Sequence, residues 1–154
     1  MKEYLIKLYK YNDWANERYF SLFYTLENIP ERVQLLLSHT IVAQKLWLTR
    51  ILGNPDLSLH IWEPLPLENV HKMAKENTSN WLNYLQTADE HEFARILSYT
   101  NFQKIPYDSV IADIIVHTAN HATYHRAQYA VLLREKGVTP PNTDFITYCR
   151  ELKE

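Results

Sequence analysis

The chain reads as all-α, a four-helix bundle with a short extended or hairpin segment between the third and fourth helices. Three observations predict this. Only two glycines occur in 154 residues, which leaves few turns of the kind an all-β fold needs. Apolar residues recur at alternating spacings of three and four, the period of a helix that buries one face. The run from His117 to Gln128 has no glycine or proline and carries three histidines at intervals of four, which a helix sets on one face. The length suits one domain spanning 1–154 with a substantial core.

Composition excludes several classes of function. Charge is nearly balanced, 16 basic against 18 acidic residues with no block of like sign, which argues against nucleic-acid binding. The N-terminal Met-Lys-Glu-Tyr-Leu-Ile-Lys interleaves charges with apolar residues, unlike a signal peptide. No stretch approaches membrane-spanning length. The single cysteine, Cys149, excludes an intramolecular disulfide, and the expected location is cytoplasmic.

The first helix is expected over roughly 2–27, from Leu5, Leu8, Asn12, Ala15, Tyr19, Leu22 and Leu26 on one stripe. Asn12 lies on that apolar face, and with Trp14 and Asn16 it makes an unusual mixture of amides and aromatics. Interhelical hydrogen bonding and packing are the plainer account of them. Pro30 is placed at the first position of a second helix, with Glu31 in its first turn, running to about Leu52 with Gly53 as its C-terminal cap. His39 falls three residues after Leu36 and four before Ala43, so it points inward.

Residues 53–66 carry three prolines and form a long connection, either a crossover past one end of the bundle or a loop covering a site. His60 and Trp62 on it are candidate rim residues, although an exposed pair without a role is the commoner outcome. A third helix is expected over about 67–87. His71 and His91 look solitary and surface-facing. The segment 93–106 reads as two short strands or an extended loop, with Thr100-Asn101 as a turn. Asp108 or Ser109 then caps a fourth helix over roughly 109–136, ended by Gly137 ahead of Pro140-Pro141. The tail around Phe145 to Cys149 is expected to form a turn of helix that packs aromatic rings on the bundle.

Bundle metal sites are built from side chains on facing helices, and two helices here bear inward histidines. Each four-residue step advances the face by about 40°, so the drift across His117, His121 and His125 keeps all three from one ion. Either His121 with His125, or His117 with His121, supplies two ligands, and His39 is the natural third. Three imidazoles without a carboxylate leave a position open, the pattern of a catalytic zinc site. The reacting group is then a metal-bound water or a thiolate. Ala122 stands where the metalloprotease motif needs glutamate, so no general base adjoins the ligands. Gln128 is a candidate to hydrogen-bond a ligand imidazole from behind, and Asn12 and His117 are candidates for the same supporting layer.

Several of these segments together resemble the DinB and YfiT-like metalloenzyme family. The resemblance rests on Tyr11-Asn-Asp-Trp-Ala-Asn16, on Ser38-His39 with Trp47, on Asn120-His121-Ala-Thr-Tyr-His125-Arg126-Ala127-Gln128, and on the closing Pro140-Pro141 to Tyr148. It implies an up-down-down-up bundle, often a homodimer, with a divalent ion, commonly zinc or nickel, on the residues matching His39, His121 and His125. His117 is then a neighbour of the site. Family activities include transferases and an isomerase that use a low-molecular-weight thiol as co-substrate, so the expectation is a metal-dependent thiol transferase acting on a small molecule. A metal-dependent hydrolase, or a non-catalytic dimeric bundle that binds a partner, are the alternatives. Where the family often has glycine after the His-Arg pair this chain has Ala127, expected to spare ligation while tightening a helix contact.

Overall fold

Alternating three- and four-residue spacing of apolar side chains decides most of the backbone. The computed structural model describes residues 1–152. They are mostly helical: α1 (Lys2–Phe23), α2 (Glu31–Ile51), α3 (Leu67–Thr87), a single 3-10 turn (Glu92–Ala94), the strands β1 (Ile96–Thr100) and β2 (Pro106–Val110), α4 (Ile111–Glu135) and a short α5 (Phe145–Glu151). The hairpin pairs Ile96 with Val110 through Thr100 with Pro106, antiparallel. Its turn is held by Asn101, whose Oδ1 accepts the Gln103 and Ile105 amides at 2.9 Å.

The two glycines end the two helices that carry the inward histidines. Gly53 and Gly137 have φ of 77° and 76°, a left-handed conformation that costs glycine nothing. Around the first, Gly53 N–H reaches Arg50 O at 3.0 Å and Asn54 N–H reaches Thr49 O at 2.9 Å. Around the second, Gly137 reaches Arg134 O and Val138 reaches Leu133 O, both at 2.9 Å. Both are Schellman closures that satisfy carbonyls the helix leaves unpaired.

Some boundaries differ from expectation. α1 stops at Phe23 instead of running to residue 27, because the next turns tighten: Thr25 N–H bonds Leu22 O and Leu26 N–H bonds Phe23 O. Pro30 occupies the N-cap of α2, with an extended ψ of 132°, since its ring suits the residue that leads into a helix as well as the first within it. Neither Asp108 nor Ser109 caps α4. Both belong to β2, where Asp108 Oδ1 accepts Ser98 Oγ–H at 2.6 Å, and the strand runs through Val110 straight into the helix.

Pairings between helices give their directions. Leu36, His39 and Trp47 of α2 meet Tyr129, His121 and His117 of α4, so those two run antiparallel. Tyr9, Asn12 and Tyr19 of α1 meet Thr118, Arg126 and Tyr129 of α4, a parallel pair. Tyr9, Asp13 and Glu17 oppose Trp81, Thr78 and Lys75, so α1 and α3 are antiparallel. Ile41 and Gln44 of α2 receive Asn77 and Trp81 of α3 in parallel order. Apolar packing gathers in three clusters, one around Trp81, Tyr9, Leu48 and Ile115, a second around Phe20, Phe23, Leu37 and Tyr129, and a small third of Tyr11, Ala15 and Tyr148. Each large side chain so buried contributes about 1.5–3 kcal/mol.

The buried polar residues of α2 and α4, among them Ser38, His39, Thr40, Thr118, His125 and Arg126, interrupt that apolar interior. α2 is buried continuously from Leu36 to Ala43 and on to Gln44, more than one stripe of a helix, because the connection 52–66 covers its remaining side. Leu65 N–H donates to Ser38 Oγ at 2.9 Å, and Gln34 Nε2 donates to Leu65 O at 2.8 Å. α5 packs Phe145 and Tyr148 on Tyr11, as expected of the tail. No described helix is long and apolar enough to cross a membrane.

Candidate functional site

One helical turn on α4 and one position on α2 bring three imidazoles together. His39 and His125 are buried and His121 is half-buried. One ligand atom from each lies within 4.8 Å of the others. His121 Nε2 is 3.2 Å from His39 Nε2 and 3.0 Å from His125 Nε2.

The outer ring nitrogens decide which way these atoms point. His39 Nδ1–H donates to the Ile61 carbonyl at 2.8 Å, and His125 Nδ1–H donates to Gln128 Oε1 at 2.8 Å. A neutral imidazole with its proton on Nδ1 presents a bare lone pair on Nε2. Two such lone pairs therefore face His121 Nε2, which has at most one proton to give. At least one contact near 3 Å sets lone pair against lone pair.

Burial keeps these rings neutral. His121 is pushed down to about 3, first by desolvation, then by the neighbouring His125, His39 and His117. His39 and His125 are also held below the ordinary imidazole range, chiefly by desolvation, against the raising effect of their Nδ1 hydrogen bonds. Protons are thus poor occupants of the space between the three nitrogens. A divalent ion fits it: tetrahedral ligands at about 2.0–2.1 Å from zinc stand about 3.3 Å apart, close to the separations observed. The cluster suggests a divalent metal site on His39, His121 and His125.

The long connection supplies more than a carbonyl. Trp62 stacks face to face on His39, ring centroids 3.7 Å apart and planes 9° from parallel. It covers the side of the ring that α4 does not reach. Trp62 is thus at the site, while His60, two residues earlier, is exposed and does not join the cluster.

Other sequence candidates fall in different places. Gln128 lies one turn beyond His125 and holds it. His117 is exposed, its ring 5.5 Å from that of His121, and it stands outside the cluster, which decides between the two pairs that helical spacing left open. Asn12 does not support the histidines. Its Oδ1 accepts Arg126 Nη1 at 2.8 Å, and Asn16 Oδ1 does so at 2.9 Å. Arg126 follows His125 directly and is turned by about 100° to the other side of α4, so its partners lie on α1. Trp14 also belongs elsewhere, packed on Tyr148 and donating from Nε1 to Glu151 at 2.8 Å. His71 is not solitary: it stacks on Phe20 and its Nε2 lies 3.1 Å from Glu17 Oε1. Ala127 is exposed and tightens no helix contact.

Beside the histidines opens a cavity of about 290 Å³ that His39, His117 and His121 line together with Trp47, Arg50 and Phe102. The hairpin contributes Tyr99 and Tyr107 to its wall. Sequence reasoning missed Arg50, Tyr99 and Phe102, because nothing local ties the hairpin or the end of α2 to a histidine on α4.

Comparison with known proteins agrees with this picture. The DinB family profile matches residues 1–152. Protein DinB of Bacillus subtilis (strain 168) is 23% identical over 166 aligned positions, an alignment that covers 96% of this chain and 95% of that protein.

Proposed function

From the premise that this chain belongs to the DinB family, we propose that it is a metal-dependent enzyme whose ion is held by His39, His121 and His125. The observation that carries the reading is the meeting of three Nε2 atoms while the Nδ1 atoms of two rings are tied down. The helix pairings support an up-down-down-up four-helix bundle as its architecture. The family match over 1–152 supports a single domain. Zinc and nickel both suit an all-imidazole donor set, and a homodimer is part of the proposal.

When bound, the ion supplies a Lewis acid that acidifies a coordinated thiol or water. The protein's own residues prepare that chemistry. The Ile61 carbonyl and Gln128 hold two imidazoles in the tautomer that leaves Nε2 bare. Burial keeps all three neutral at pH 7, so an ion displaces no protons. Trp62 and the wall of the adjoining cavity exclude water from one side.

We read the reaction as transfer to or from a low-molecular-weight thiol. Hydrolysis needs a general base, and among the described residues lining the cavity no carboxylate is present, which leaves His117 for that role. Metal analysis of the purified protein against His121→Ala tests the site: the expected result is a stoichiometric ion in the first and its loss in the second. Equal trace metal in both would sink the proposal, and with it every enzymatic reading. Cobalt-substituted protein then separates the two reactions. Millimolar thiol should produce a sulfur-to-metal charge-transfer band, and a spectrum that thiols leave untouched removes the transferase reading.

A further inference from the structure

Arg50, in the last turn of α2, carries the only arginine or lysine charge among the described residues that line the histidine cavity. Its guanidinium lies 5.0 Å from the centroid of Trp47, 5.5 Å from Tyr99 and 5.6 Å from Phe102. These rings hold the group in place by their π faces. Its hydrogen bonding is poor by comparison, a single long contact of 3.5 Å from Nη2 to the Thr100 carbonyl. No described carboxylate pairs with it, whereas Arg18 has Glu151 and Arg95 has Glu92.

A cation in the last turn complements a helix dipole. That accounts for the charge, but it does not account for a guanidinium caged by three rings and left without an anion. Its planar fork of donors matches a carboxylate in two parallel hydrogen bonds, and most of those donors are unused. Arg50 also lines a second, outer cavity of about 700 Å³, and Tyr99 and Tyr107 line both. It therefore stands where the two cavities meet. Asp108, the carboxylate in the outer one, is already engaged by Ser98.

We propose that Arg50 recognises a carboxylate on the substrate, a small organic acid with an aromatic or otherwise flat apolar body. The acid group sits on the Arg50 fork, the flat body lies against Trp47 and Phe102, and the reacting end extends towards His39 and His121. Any larger tail leaves through the outer cavity. This assignment rests on reading the histidine cluster as the reaction centre. Arg50 is then the residue that sets substrate class and orientation.

The test uses chelator-treated, metal-free protein, so that no ion can capture the probe. Benzoate and its neutral isostere benzamide are titrated while amide, indole and guanidinium resonances are followed by NMR. Benzoate should bind about tenfold more tightly than benzamide, the contrast expected of a charge-assisted bidentate pair over a neutral contact, and should shift the Trp47 indole and Arg50 Nε signals. Arg50→Gln should erase the preference. If that variant does not fold, Arg50→Lys should lower the preference several-fold through loss of the fork. Equal affinity for the two probes in the wild type, or a preference that persists in Arg50→Gln or is unchanged in Arg50→Lys, overturns the proposal. Failure of the metal site registers separately in metal content.

Discussion

Replacing Gln128 by leucine removes the acceptor that anchors His125 while keeping a side chain of similar volume. The His125 Nδ1–H then loses its 2.8 Å contact with Gln128 Oε1, and the ring is free to rotate or change tautomer. His39 keeps its own anchor on the Ile61 carbonyl, so one of two fixed imidazoles is lost. Loss of such an outer partner typically costs 10–100-fold in metal affinity. With His39 still fixed the lower figure applies, about tenfold, or about 1.4 kcal/mol. Gln128 is only half-buried, so unfolding free energy should change by less than about 1 kcal/mol. The assay is competition for zinc against a chromophoric chelator at pH 7.5, with urea unfolding as the control. Gln128→Glu, which retains an acceptor oxygen, should stay within about threefold of the wild type by the same rule. A folded Gln128→Leu protein that binds zinc within about twofold of the wild type would refute the reasoning.

Two other outcomes follow from the same geometry. Asn12→Ala removes an acceptor from the buried Arg126 guanidinium, and a hydrogen bond to a charged group is worth about 1.5–3 kcal/mol. Urea unfolding should register that loss while zinc affinity holds, because Arg126 and His125 face different sides of α4; undiminished stability would mean that the other two acceptors of the guanidinium, Asn16 Oδ1 at 2.9 Å and Thr123 Oγ1 at 3.0 Å, suffice. Acid should weaken the metal-free protein. The unfolded chain takes up a proton on each imidazole near pH 6.5, whereas His121 resists protonation down to about 3 and His39 and His125 resist it too. Stability is therefore full above pH 6.5 and falls as the pH drops from there towards 3. Scanning calorimetry between pH 6.5 and 5, where most carboxylates stay ionised, should find a declining Tm and a shallower decline in His121→Gln; parallel slopes would remove the histidines as the cause.

The long helices and some of their ends were legible because they depend on neighbours in the chain. Apolar spacing located α3 at 67–87, and two glycines marked where α2 and α4 stop. The coupled histidines were legible in part for the same reason: spacing offered His121 with His125, or His117 with His121, and the inward face of α2 made His39 a candidate. Asn12 was legible in part: the expected interhelical hydrogen bond is present, but a polar residue on an apolar stripe announces that it has a partner without naming it. The partner proved to be Arg126 rather than a histidine.

The stretch from His117 to Gln128 determined, by helical geometry alone, that two imidazoles would share a face and that a third would drift from it. It also offered Gln128 as a candidate to hydrogen-bond a ligand imidazole, and the structure names that imidazole as His125. Only the tertiary structure decided what closes the site from outside. The Ile61 carbonyl, the Trp62 ring over His39 and the Tyr99 and Phe102 rings beside Arg50 come from segments whose side chains follow no helical period. Their positions depend on how a proline-broken connection and a hairpin settle on the finished helices, and that information lies in long-range packing rather than in any local run of residues.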